Sequence, residues 1–304
     1  MPFGLKNAPA TFQRILQRVL GDTLYNGAIN YLDDVVIYSE TIDHHFSLLK
    51  TIFDRFKIHN IKLKSLKCHF LKEKIEYLGY LVSHNQVEPT PSLINDVKNF
   101  PVPTTVKEVR RFLGLCNYYR RFISDFAKIA SPSTKLSRKD CPFVWANQQQ
   151  SAFDTLTTAL TSKPVLALYD KDKPCTLYTD ASKVGVGAAL VQKDENGQEH
   201  PIAFYSKGLN GHESNYSAFE LECLAVIRAV AHFEVYLSLP FTIITDHHAL
   251  KWLLSIKNPT GKLYRWSIKL STHSYTLIHR PKKISNMLMP SLELLFLSIY
   301  RSMS

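Results

Sequence analysis

From Cys175 onward the chain keeps changing its hydrophobic period, and that succession limits the folds open to it. Three strand-like runs come first, CTLYTDA (175–181), VGVGAALVQ (184–192) and HPIAFYS (200–206), separated by turn residues. A long stretch with helical spacing follows over 216–237. Then come a strand-like FTIITD (241–246), helical stretches at 247–256 and 262–271, and a last strand, SYTLIH, at 274–279. Three strands, a helix, a strand, then helices and a strand predict an α/β layer fold.

The part upstream reads differently. Residues 10–20 set Phe12, Ile15, Leu16, Val19 and Leu20 at helical spacing, with Asn7, Ala8 and Pro9 where a helix start belongs. GAINYLDDVVIYS then gives two short apolar runs around Asp33-Asp34, a hairpin with acids at its tip. Helical periodicity returns over 43–58 (Phe46, Leu49, Ile52, Phe53, Phe56), and KIEYLGYLVS predicts another strand pair. Pro89, Pro91, Pro101 and Pro103 mark a change of domain.

Residues 105–139 read as helical and basic. Between 101 and 140 nine Lys/Arg stand against Glu108, Asp125 and Asp140, a local net charge of +6. Lys107, Arg110, Arg111, Arg120 and Arg121 are the candidates for tracking a nucleic-acid backbone, while the interleaved aromatics are read as core. The whole chain is basic too, with 37 Lys+Arg against 26 Asp+Glu, a net charge of +11 and a pI near 9.3. That balance favours a polyanionic partner. The five scattered cysteines form no CxxC and argue for reduced thiols in an intracellular protein rather than a metal finger. No run approaches the ~18 apolar residues of a membrane span, so no membrane partner is expected, and no signal peptide is evident.

Two groups of acids carry the chemistry. Asp33 and Asp34 would repel each other in an apolar hairpin unless a cation neutralised them, although an exposed Asp-Asp turn is a common alternative. Asp180 in YTDAS, Glu222 in FELECLAV and Asp246 in TDHHAL stand in three separate elements. Two-metal phosphodiester hydrolysis needs carboxylates from different elements converging on ions roughly 4 Å apart. Taken singly, each is an ordinary surface acid. Hard oxygen ligands without a Cys/His cluster suit Mg²⁺, with Mn²⁺ able to replace it. His247 and His248 are adjacent, point apart, and are read as structural or substrate-facing.

The ordered motifs MPFGLKNAPATFQRI, YLDD, YLGYLVS, LGLCNYYRRFI and WANQQQSAFDTLTTALTSKPVLALYD resemble the Pol polyprotein of gypsy-type long-terminal-repeat retrotransposons, from residue 1 to about 286. The resemblance implies a partial reverse transcriptase palm over 1–88 and a helical thumb and connection over 89–145. A linker over 146–172, an RNase H-like mixed sheet with helices over 173–286, and an atypical tail over 287–304 complete the division. It implies that Asp33 and Asp34 bind polymerase metals, and that Asp180, Glu222 and Asp246 are the first three acids of an RNase H site. Glu222 is preferred to Glu220 because the family pattern is Glu-Leu-x-Ala. The implied activities are RNA-directed DNA synthesis and endonucleolytic cleavage of the RNA in RNA–DNA hybrids. The implied partners are a hybrid or primer–template duplex and other Pol regions (protease, integrase), in the cytoplasm, a virus-like particle or the nucleus.

The sequence departs from that family twice. The palm strand carrying another aspartate precedes the FGLxNAP element, and the chain opens at Met1 within that element, so DNA synthesis by this chain alone is not expected. After Asn286 the family continues Ala-Asp-Ala-Leu-Ser, whereas here MLMPSLELL puts Pro290 where the fourth acid belongs. Glu293 lies one turn further on. The expectation is weakened binding of a second metal and a slow or inactive nuclease. The alternative is a catalytically dead nucleic-acid-binding remnant.

Overall fold

The structure, a computed structural model, describes residues 5–139, 141–162, 164–246 and 261–279. The expected helix at 247–256, and Asn286, Pro290, Glu293 and the tail, lie outside the described residues. The chain divides into two compact units after Leu78, earlier than the boundary at 88 that the prolines suggest.

In the first unit, helix α1 (Ala8–Leu20) and helix α2 (Ile42–Ile58) frame a two-stranded hairpin of β1 (Ala28–Tyr31) and β2 (Asp34–Ile37). Pro9 sits in the first turn of α1, where a missing N–H costs nothing. Thr41 caps α2 by accepting from His44 N. Leu16, Val19 and Leu20 of α1 bury against Leu48, Ile52 and Phe56 of α2 and against Ala28. The core face of α2 is therefore the Leu48/Ile52/Phe56 stripe, and Phe46 and Phe53 are exposed. Strand β3 (Lys74–Tyr77) closes the unit.

The second unit opens with antiparallel strands β4 (Tyr80–Ser83) and β5 (Gln86–Pro89), joined later by β6 (Leu166–Ala167). Four helices follow β5, namely α3 (Pro91–Lys98), α4 (Val106–Tyr118), α5 (Phe126–Leu136) and α6 (Asn147–Thr161). Thr90 and Thr105 cap α3 and α4, and Glu108 reaches back to Thr104 N, which holds its carboxyl below the usual range. The basic stretch is broken between α4 and α5, where Asp125 takes a left-handed backbone (φ 53). The expected linker is itself folded: Phe153, Leu156 and Leu160 of α6 are buried.

The main sheet runs β11-β10-β7-β8-β9. Strands β7 (Cys175–Ala181), β8 (Gly185–Lys193) and β9 (Glu199–Gly208) form an antiparallel meander. Strand β10 (Phe241–Thr245) runs parallel to β7, and β11 (Tyr275–His279) parallel to β10. Between them in sequence come α7 (Ala218–Phe233) and α8 (Gly261–Ser271). Strand β8 is buried along all but its last residue because both faces are covered. Ala188 and Leu190 face α7 and α8, with Leu177, Val226, Val230 and Ile243. Ala189 and Val191 face the α3–α6 layer, with Phe112, Phe122, Leu156 and Phe204. A bulge at Leu190/Val191 lets Ile202 and Ala203 of β9 both meet the α7 side.

The helical layer and the sheet thus share one core, centred on Phe112, which is 1% exposed and lies 4.5 Å from Phe153 and 5.3 Å from Phe100 between ring centroids. Phe112→Ala is expected to lower the free energy of unfolding by about 3–5 kcal/mol. Urea unfolding compared with the unsubstituted chain measures this; a loss under about 1 kcal/mol would mean that Phe112 does not join the layers.

Candidate metal-binding acidic site

Asp180 is the penultimate residue of β7, and Asp246 follows the last residue of the neighbouring parallel strand β10. The side-by-side pairing of these strands brings two acids distant in sequence to one end of the sheet. Glu222 comes from the first turns of α7, which packs on the face opposite the α3–α6 layer, and it is 6% exposed. One oxygen from each of the three carboxylates lies within 4.8 Å of the others. Glu222 Oε2 and Asp246 Oδ1 are both sealed from solvent. His279 at the end of β11 contacts the Asp246 carbonyl through Nε2 at 2.9 Å and so ties down the end of β10.

The donor set is all carboxylate oxygen. Hard cations bind such oxygens at about 2.0–2.6 Å, so two ligands on one ion lie up to about 4–5 Å apart. The spread of the three acids is thus of the size that one hard divalent cation can bridge. Without a counter-charge, oxygens this close and this buried would repel strongly. Among the described residues this is the one set of three or more His, Cys, Asp or Glu side chains that can converge on an ion.

The structure separates Glu220 from Glu222. Glu220 closes a capping box with Ser217, accepting from Ser217 N at 2.9 Å while Ser217 Oγ accepts from Glu220 N. It also pairs with Lys262 at 2.7 Å, and that ammonium lies over the Tyr216 ring. The Lys262 contact, then the Ser217 hydrogen bonds, hold the Glu220 carboxyl below its ordinary range.

Asp33 and Asp34 are placed otherwise. Tyr31 pairs with Asp34, leaving Leu32 and Asp33 as a two-residue turn with Leu32 at φ 53. Gln13 braces the turn, donating to Asn30 O at 3.2 Å and accepting from Leu32 N. Both aspartates are exposed, so water screens the repulsion that the apolar flanks suggested.

The basic candidates also divide. Lys107, Arg110 and Arg111 on α4 are exposed, although Arg110 donates to Ser137 O at 2.8 Å and Arg111 lies over Phe100. Arg120 donates to Ser206 O, lies over Phe126, and is lowered in pKa by burial; Arg121 donates to Ile202 O at 3.3 Å and lies over Tyr80. Both guanidiniums are engaged with the carbonyls of β9. Their RR spacing alone could not show this, because β9 lies some eighty residues away. Asp125, which the sequence marked only as a counter-charge, lines a pocket with Asp180, Ser182 and Ser206.

Glu220→Gln is expected to reduce stability by about 0.5–1 kcal/mol at neutral pH, discounted for the partial exposure of the pair. The Glu220 pKa is depressed in the folded chain, so its contribution is present above the unfolded value of about 4.3 and fades as pH falls through the folded value. Unfolding of both proteins at neutral and acid pH should show the gap closing in acid; a gap that widened would contradict the assignment.

Comparisons with known proteins agree with this architecture. Residues 1–82 match the family described as reverse transcriptase (RNA-dependent DNA polymerase), and residues 145–244 match the RNase H-like domain found in reverse transcriptase. The chain is 40% identical over 279 residues to the retrovirus-related Pol polyprotein from transposon 297 of Drosophila melanogaster, covering 91% of this chain and 26% of that protein. It is 36% identical over 296 residues to the corresponding polyprotein from transposon opus of the same species, covering 93% of this chain and 29% of that one. The chain thus spans about a quarter of the length of these relatives. The fold is similar to that of the foamy viral protease-reverse transcriptase solved in complex with an RNA/DNA hybrid, with a TM-score of 0.76 at 21% identity, over 92% of this chain and 39% of that one.

Proposed function

We propose, for a chain that is a segment of a long-terminal-repeat retrotransposon Pol polyprotein carrying reverse transcriptase and RNase H-like regions, that Asp180, Glu222 and Asp246 form an RNase H-type endonuclease site. The substrate is the RNA strand of an RNA–DNA hybrid. The observation that carries this reading is the convergence of three carboxylates from β7, α7 and the end of β10 within 4.8 Å.

In this reading the three acids hold Mg²⁺, or Mn²⁺ in its place. Bound there, the metal would lower the pKa of an attacking water and stabilise the departing 3′ oxygen. The chain itself supplies the rest. Burial of Glu222 keeps one oxygen out of bulk water, and the His279 contact fixes the strand end that carries Asp246. The exposed Lys107, Arg110 and Arg111 meet duplex phosphates, giving little preference for sequence. Asp33 and Asp34, offered to solvent at a braced turn, are the polymerase metal ligands of the full element. The motif order from FGLKNAP to TDHHAL supports reading the element as gypsy-type, with protease and integrase regions as its other Pol partners and a virus-like particle in the cytoplasm, or the nucleus, as its setting.

The test is cleavage of a labelled RNA–DNA hybrid by the full chain with Mg²⁺. The unsubstituted chain should cut the RNA strand, and Asp180→Asn should lose at least about 10²-fold in rate while still binding hybrid. Equal cleavage by the two proteins, or none by either, would sink the reading. Replacing Lys107, Arg110 and Arg111 together with Ala should weaken hybrid binding and flatten its salt dependence by roughly two to three units of log–log slope. An unchanged slope would remove α4 from the phosphate interface.

A further inference from the structure

The register of the sheet leaves a gap beside Asp180, and a fourth carboxylate, that of Asp125, enters it. Asp180 on β7 pairs with Gly187 on β8, and Gly187 pairs with Ser206 on β9. Directly paired residues share a face, so these three form one row across the sheet. Ala189 and Val191 on β8 and Phe204 on β9, at even spacing from that row, belong to the core under α3–α6. The row therefore lies on the face that the helical layer covers.

Gly187 leaves a gap in the row, and Asp125 fills it: a Cβ at 187 would lie 2.9 Å from Asp125 Oδ1. Asp125 and Asp180 line one small pocket together with Lys128, Ser182, Gly187 and Ser206. The turn bearing Asp125 is held from several sides. Its carbonyl accepts from Lys128 N at 2.9 Å and Ile129 N at 3.1 Å, its backbone is left-handed, and Ala127 N donates to Ser206 Oγ at 2.9 Å. Burial, then the charge of Asp180, push the Asp125 carboxyl up, and Lys128 opposes them.

We propose that Asp125 is a positioning residue for the acidic site: its carboxylate, seated over Gly187, turns Asp180 toward Glu222 and Asp246 and adds negative potential that draws in a divalent cation. The helical layer thereby contributes a charge to a centre whose three ligands come from the sheet and α7. Charged neighbours that orient metal ligands tune affinity without touching the ion. The inference rests on the metal-site reading of the three acids.

Isothermal titration of the full chain with Mn²⁺, at about pH 8 so that carboxyls are ionised, tests it. Asn tolerates the left-handed backbone and copies the shape of Asp, so Asp125→Asn removes the charge and little else. The expected result is a Kd for Mn²⁺ about three- to tenfold weaker with an unchanged Tm. Lys128→Gln should tighten Mn²⁺ by about two- to threefold, since it removes the opposing cation. A merely structural role would not give opposite signs. Gly187→Ala, which evicts the carboxylate sterically, should mirror Asp125→Asn. If Asp125→Asn leaves the Kd unchanged while Asp180→Asn abolishes binding, this inference fails and the metal site stands. If the unsubstituted chain binds no Mn²⁺, both fail together.

Discussion

Strand β8 is enclosed on both faces, and the rest of the second unit is arranged around that enclosure. Its side chains alternate between two cores, Ala188 and Leu190 toward α7, Ala189 and Val191 toward α3–α6. A strand covered on both sides is locked in register, because slipping by one residue would exchange the two cores. That register carries over to the site. It sets Asp180 opposite Gly187 and Gly187 opposite Ser206, and the parallel β7–β10 pairing sets Asp246 at the same sheet end. Placement of the acids is thus a consequence of core packing well away from them.

The same enclosure explains the engagement of two arginines. Strand β9 ends the five-stranded order, and an edge strand presents unpaired carbonyls. Arg120 and Arg121 donate to Ser206 O and Ile202 O, so the turn after α4 is tied to that edge. Residues that look like part of a basic tract serve as struts between helical layer and sheet, while Lys107, Arg110 and Arg111 on α4 are exposed, Arg110 reaching the Ser137 carbonyl.

Much of this was legible in the residue order. Apart from 247–256, outside the described residues, the strand–helix succession after Cys175 is that of the observed sheet, because alternation and helical spacing report burial on a regular lattice. The family pattern matched by FELECLAV favoured Glu222 over Glu220, and the capping box at Ser217 supplies the physical reason that Glu220 is elsewhere. Tertiary facts were not legible. On α2 the apolar residues are too many to define one face, and the packing of α1 selects Leu48, Ile52 and Phe56 over Phe46 and Phe53. The folded state of 147–161 was hidden because its buried stripe of Phe153, Leu156 and Leu160 is short and flanked by polar residues. Asp125 was hidden most deeply, since its meaning lies in a gap left by a glycine on another element.

The central claim is that three carboxylates from three elements were brought together to hold a divalent cation. Crystals of the chain soaked in Mn²⁺ and measured at a wavelength where manganese scatters anomalously test it without reference to activity. The account predicts an anomalous peak within bonding distance of the Asp180, Glu222 and Asp246 carboxylates, absent from crystals of the Asp180→Asn variant. Manganese bound elsewhere, with nothing among these three acids at saturating metal, would contradict it.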